Sequence, residues 1–284
     1  MEKLAQITER IAKLRQYSKL ILILLTLVFA YLLAGAVIHQ PKVGVIKINT
    51  PIMSMSTANK IVEMLEYAEA RDDIKAVVVE INSPGGEVTA VEEIYLTMVK
   101  LRNQKPVVVS IDQIGASGAY YIASASNFIF SKPASFVGSI GVVSRLPRAE
   151  RLDEDTISTG PFKRTGFSRR DHTYNVKQVQ EVFLNAVLLQ RGDKLNITKE
   201  ELAKAAIYTG VESYRLGLVD SIGSTADAIR KAAELAGIAH YDVVDINKEL
   251  KIYFFSFSTY VNESAFAPTN TAPVNYYLYM EFKP

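Results

Sequence analysis

Two short stretches of this chain combine residue types that could carry out acyl chemistry. In Gln113–Ser126, "QIGASGAYYIASAS", Ser117 is surrounded by Gly115, Ala116, Gly118 and Ala119, so almost no side-chain bulk flanks one hydroxyl. In Ile81–Gly86, "INSPGG", two adjacent glycines leave backbone N–H groups that another chain can approach closely. A serine that attacks a carbonyl and backbone N–H groups that hold the resulting oxyanion would be complementary parts, and one such donor is typically worth about 10²–10³ in rate. Each stretch also has a plainer reading. A small-residue turn is commonly structural, and Pro-Gly is a common turn.

A serine hydroxyl needs a base. The histidines are His39, His172 and His240, and His172 is the candidate by position. A lysine is the alternative, provided that burial favours its unprotonated form. Lys163, in Ser158–Gly166 "STGPFKRTG", lies in a polar, glycine-bearing stretch that could cross a neighbouring site. From the residues alone both bases stay open.

Composition narrows the chemistry. The chain has no cysteine, which removes thiol nucleophiles, disulfides and cysteine-based zinc sites. Three scattered histidines form no metal-ligating spacing. A net charge of +2 over 284 residues gives no general nucleic-acid footprint.

The elements that must position Ser117 and Gly86 read as alternating strands and helices. Val43–Asn49, Ala76–Asn82 and Val107–Asp112 are short runs rich in β-branched residues. Between them lie helical patterns, Ser56–Ala70 with Ser56 as cap and Val88–Leu101. Both chemical stretches therefore fall at the ends of strands, with a helix following. Further strands are expected at Asn127–Ser131 and within Phe136–Val143, and helices at Asn175–Gln190, Thr198–Ala206 and Thr225–Ala236. The alternation predicts an α/β domain with mostly parallel strands over residues 43–250. Residues 144–174 show no periodicity and read as a loop-rich crossing.

Residues 20–38, "LILILLTLVFAYLLAGAVI", carry no charge over a length that nearly spans a bilayer core of about 30 Å. The preceding arm, residues 1–19, has five basic residues against Glu2 and Glu9. This predicts a single-pass anchor with a cytoplasmic N-terminus and the rest of the chain outside the cell membrane. A cleaved signal peptide is the other reading, with Ala34-Gly35-Ala36 as a candidate cleavage site. At the other end, residues 251–284 are rich in aromatics, and Asn275–Phe282, "NYYLYMEF", has strand propensity. That segment could pack on its own domain or lie as an added strand along a substrate groove.

Taken in order, "INSPGGEV", "GASGAYYIAS", "GSIGV", "TGPFK" and "IYTGVESYRLGLVD" resemble the signal peptide peptidase A family of membrane-bound serine peptidases, over about Val43–Ala236. Ala119 stands where that family usually has glycine. The resemblance implies a ClpP/crotonase-type α/β fold, a repeated β–β–α spiral, and a Ser–Lys dyad without metal or cofactor. It aligns Ser117 with the nucleophile, Lys163 with the base, and Gly86 and Gly118 with the oxyanion hole. It further implies apolar peptide substrates such as remnant signal peptides, membrane lipid around residues 20–38, and a homo-oligomeric ring. The rival reading is an inactive crotonase-fold membrane scaffold.

Overall fold

The computed structural model describes residues 17–19, 21–29, 40–145, 159–163 and 166–254, together with the backbone of 275–278. It divides into two compact units, Met1–Gln40 and Pro41–Pro284. In the first, residues 17–19 and 21–29 are helical, and Leu22, Leu24, Leu25, Leu27 and Phe29 expose their side chains. Among the described residues no helix is long and apolar enough to cross a membrane. Residues 20 and 30–38 of the expected anchor lie outside them.

The second unit is built on a mainly parallel sheet. Its strands are β1 (Lys42–Ile48), β2 (Ile74–Ser83), β4 (Val107–Ala116), β5 (Phe128–Ser131), β9 (Ser221–Ile222) and β10 (Asp242–Asp245), in the order β10-β1-β2-β4-β5-β9. Two short strands, β6 (Phe136–Gly138) and β8 (Ile207–Thr209), extend it alongside the C-terminal end of β4, with β6 parallel to β4 and antiparallel to β8. A second, three-stranded sheet joins β3 (Gly85–Glu87), β11 (Asn275–Leu278) and β7 (Val143–Ser144), in the order β3-β11-β7.

Alternation along the central strands sends successive side chains to opposite faces. Val77, Val79 and Ile81 of β2 face the larger core, with Ile46, Ile48, Val109 and Ile111. Helices α1 (Met55–Ala70), α2 (Val88–Arg102), α3 (Gly118–Ser124) and α4 (Arg169–Arg191) cover this face, each contributing buried side chains to it. Ala76 and Val78 point the other way, toward Ala228, Ala232 and Ala233 of α5 (Thr225–Leu235). Burial on both faces explains why "AVVVEIN" is continuously apolar over its first four residues.

The helix ends differ in detail from the sequence pattern. Ser54, not Ser56, caps α1, its side chain accepting from Thr57 N–H. Helix α2 is capped by Glu87, whose carboxylate accepts from the N–H groups of Thr89 and Ala90 at 3.0 and 2.8 Å. Helix α4 begins at Arg169, inside the stretch read as loop, because Ser168 caps it by accepting from Asp171 N–H.

Candidate active site

Strand β4 runs without a break to Ala116, and α3 starts at Gly118. The one residue between them, Ser117, has φ 54° and ψ −125°. This left-handed region disfavours a residue with a Cβ, at a cost of about 1–3 kcal/mol. The turn is held from both sides. Ser117 N–H donates to Gly138 C=O at 2.8 Å, and Tyr121 N–H donates to Ser117 C=O at 3.0 Å. Ser117 is 1% exposed, and among the described residues its Oγ has no hydrogen-bond partner. A buried hydroxyl left unpaired costs about 1–3 kcal/mol, so this one calls for an explanation.

The packing gives its own reason for the small residues around it. A Cβ at Gly115 would press on the Ile111 side chain, and Gly138, across from Ala116, has φ 111°. The two tyrosines after the serine anchor the helix. Tyr120 is fully buried and donates to Leu218 C=O at 2.8 Å, while Tyr121 stacks on Tyr95 with centroids 4.2 Å apart. Burial pushes the phenols of Tyr120 and Tyr121 above their usual pKa, which keeps both neutral. The Leu218–Asp220 segment that receives Tyr120 is itself fixed. Buried Arg191 donates to Gly217 C=O and pairs with Asp220, which also accepts from Ile129 N–H at 2.8 Å. The motif "RLGLVD" thus supports the helix behind the serine.

Gly86 lies in β3, at the end of β2. A Cβ there would sit on the Ile52 carbonyl oxygen, so the position admits only glycine. Ile52 N–H donates to Gly85 C=O at 2.9 Å, and Glu87 N–H donates to Ile52 C=O at 2.8 Å. Polar backbone groups of successive strand residues point to opposite edges. Gly85 and Glu87 are engaged with Ile52, so Gly86 directs its N–H and C=O the other way, toward β11. Gly118, the first residue of α3, lacks an intrahelical acceptor for its N–H. Strands β2 and β4, which lead into the two turns, are adjacent, with Ser83 in register with Gly115.

The candidate bases are placed less closely. Lys163 is exposed at the end of the turn Gly160–Lys163, its N–H donating to Gly160 C=O at 3.2 Å. The structure does not join it to Ser117, whose Oγ is unpartnered. His172 is buried in α4, and its Nε2 lies 2.9 Å from Ser144 Oγ on β7. It is therefore occupied away from Ser117. His240 is exposed, and His39 lies outside the described residues. Among the described residues no group of three or more His, Asp or Glu side chains could hold a metal ion.

A buried serine on a strained strand-to-helix turn, with the adjacent strand leading into a glycine turn, is a candidate site for serine hydrolase chemistry. The comparisons make the class specific. Residues 99–239 match the model of peptidase family S49, and residues 35–133 match that of Clp protease. An inferred protease of Methanocaldococcus jannaschii is 30% identical over 214 residues, covering 70% of this chain and 68% of that protein. Protease 4 of Salmonella typhi is 32% identical over 192 residues, covering 62% of this chain and 31% of the relative. The chloroplastic serine protease SPPA of Arabidopsis thaliana is 28% identical over 199 residues, covering 64% and 29%. The chain thus spans about a third of these last two relatives. It belongs to peptidase family S49, the serine peptidases, and its mixed α/β fold with a parallel sheet is Clp-protease-like.

Proposed function

We propose that the chain is a membrane-anchored serine endopeptidase that cleaves apolar peptides, remnant signal peptides among them, with Ser117 as nucleophile and Lys163 as base. The observation that carries this reading is Ser117 itself, strained at φ 54° and buried with no partner for its hydroxyl among the described residues. Such a group is suited to a reaction in which the missing partner arrives with substrate. Ser117 Oγ attacks the scissile carbonyl carbon, and Lys163 takes the hydroxyl proton. The N–H groups of Gly86 and Gly118 stabilise the oxyanion. The C–N bond then breaks, and the proton passes to the leaving amine. Water, deprotonated by the same lysine, releases the acyl group and restores Ser117.

In this reading Lys163 comes over Ser117 as the peptide binds. Support for it is the motif order around "TGPFK" and the engagement of His172 with Ser144. The membrane placement is supported by the uncharged run of residues 20–38, the basic arm before it, and the exposed apolar side chains of residues 21–29. Residues 40–284 then lie outside the cytoplasm, and single copies assemble into a ring at the membrane.

The test is cleavage of a fluorogenic apolar peptide by the full chain in detergent. Ser117→Ala and Lys163→Ala should each abolish turnover while the protein stays folded, because residues acting as a unit are lost together. Full turnover in folded Lys163→Ala would remove the dyad. Full turnover in Ser117→Ala would remove the mechanism, and no turnover in any native preparation would favour the inactive scaffold.

A further inference from the structure

We propose that Tyr120 is a positioning residue for the reaction: its buried hydrogen bond to Leu218 C=O holds Ser117 in its strained turn and aims the N–H of Gly118. This rests on the peptidase reading above. Helix starts in this domain differ in one respect. Helices α1, α2, α4 and α5 are preceded by Ser54, Glu87, Ser168 and Ser224, all extended, with φ between −158° and −67°. Each of those four side chains accepts a hydrogen bond from the first turn of its helix. Ser117 has φ 54° and makes no such bond. A strained turn persists only where its surroundings fix it, so α3 is held by something other than its cap.

Tyr120 is the third residue of α3 and fully buried, and its hydroxyl donates to Leu218 C=O at 2.8 Å. The residues around that acceptor are fixed in turn. Gly217 C=O accepts from Arg191 Nε and Nη2 at 3.0 and 2.9 Å. Leu218 N–H donates to Ser213 C=O, and Asp220 N–H to Ile129 C=O, both at 2.8 Å. Ile129 lies on β5, in register with Val109 of β4. The path closes on itself, from β4 through Ser117, α3, Tyr120 and Leu218–Asp220 to β5, and back to β4. Within that closed path one hydrogen bond fixes the rotation of a seven-residue helix.

The consequence falls on the transition state. Ser117 Oγ and Gly118 N–H both stand at the start of α3, one to attack the carbonyl and one to hold the oxyanion. Turning the helix displaces both, and a misplacement of about 1 Å can cost about 10²-fold in rate. Tyr120 touches neither substrate nor reacting atoms in this scheme. Losing its hydrogen bond therefore lowers kcat and leaves KM.

Tyr120→Phe keeps the ring and removes the donor. The experiment compares the full chain in detergent with this variant and with Ile246→Ala. Ile246 is buried against Gly44 of β1, which β2 separates from β4. In Tyr120→Phe, kcat on a fluorogenic apolar peptide and the rate of fluorophosphonate labelling should fall together by about tenfold. KM should move by less than about twofold. Ile246→Ala should lower the melting temperature at least as far, with both rates within about twofold of the native chain. Rates that follow melting temperature across the three proteins would make Tyr120 merely structural and overturn the inference. A second arm needs no turnover. Ser117→Gly relieves the strain, and its gain in melting temperature should be at least about twice as large in the native chain as in Tyr120→Phe, because coupled sites are not additive. Equal gains in the two backgrounds would mean that Tyr120 does not hold the turn. Ser117-dependent labelling at an unchanged rate in Tyr120→Phe defeats the positioning role alone, whereas labelling that survives Ser117→Ala defeats the peptidase reading.

Discussion

Replacing Ser117, the proposed nucleophile, should make the protein more stable. Most substitutions at buried positions destabilise by about 1 kcal/mol or more. An N-terminal helix cap changed to alanine usually costs about 0.5–2 kcal/mol. Ser117 occupies the cap position of α3, yet its side chain makes no capping bond. Its Oγ is buried without a partner among the described residues, so Ser117→Ala should remove a desolvation penalty of about 1–3 kcal/mol and no hydrogen bond to them. Ser117→Gly removes that penalty and also the strain at φ 54°, about 1–3 kcal/mol, less the extra backbone entropy of glycine, about 0.5–1 kcal/mol. For a domain of this size 1 kcal/mol shifts Tm by about 2–4 °C. Alanine should therefore raise Tm by roughly 2–12 °C, and glycine by more. Scanning calorimetry of the detergent-solubilised full chain measures this, with circular dichroism to confirm an unchanged fold. Both variants should be inactive. A Tm that falls on Ser117→Ala would mean that the hydroxyl has a stabilising partner in the resting protein, and the strained, unpartnered nucleophile would be the wrong description.

Gly86→Ala must displace the Ile52 carbonyl and with it the donor assigned to the oxyanion; kcat should fall about 10²–10³-fold on a peptide substrate, and a loss under threefold would exclude Gly86 from that role. Asp220→Asn leaves the buried Arg191 charge without its partner, which costs about 3–5 kcal/mol and should lower Tm by about 10 °C. Burial works to raise the Asp220 carboxyl, but hydrogen bonds from Arg191 and Lys194 hold it below the usual carboxylate range. The folded protein thus binds this proton more weakly than the unfolded chain. The pairing adds stability above about pH 4 and loses it as pH falls further, and urea titrations between pH 2 and 7 should show that acid loss shrinking in Asp220→Asn. His172→Ala frees Ser144 and slackens β7, so KM for a peptide should rise about fivefold, the worth of one hydrogen bond, while kcat on a small ester holds; His172→Gln should restore part of the KM, and an equal fall of kcat on both substrates would return His172 to the list of bases.

The place of Ser117 was legible because the cue is local. A β-branched run, a small-residue turn and an apolar run adjoin one another, and the structure turns them into β4, the serine and α3. The paired glycines of "SPGG" could be read as a close approach, but not what approaches. Ile52 lies on another segment, and no local pattern announces a bridge to it. The cap of α1 was misplaced because Ser54, Ser56 and Thr57 are equivalent in type, and only the chain path selects Ser54. Tyr120 and Asp220 stood inside motifs quoted for the resemblance, but the pairing of Asp220 with Arg191 gave no signal. A charged pair that becomes buried across two elements looks, in sequence, like any surface arginine and aspartate. The tail's strand propensity was visible in "NYYLYMEF", while its partners β3 and β7 are three and two residues long, too short for a periodic signal. Lys163 was named through resemblance, and the polar stretch around it carries no pattern that fixes its distance from Ser117.

The central claim is that one hydroxyl, Ser117, carries the covalent step. Mass-spectrometric mapping of the fluorophosphonate adduct on the full chain addresses it most directly. The account predicts a single adduct on Ser117, reaching one per chain, and lost in step with peptide turnover. An adduct on Ser144 or another serine, or full turnover in a preparation whose Ser117 is quantitatively modified, would contradict it.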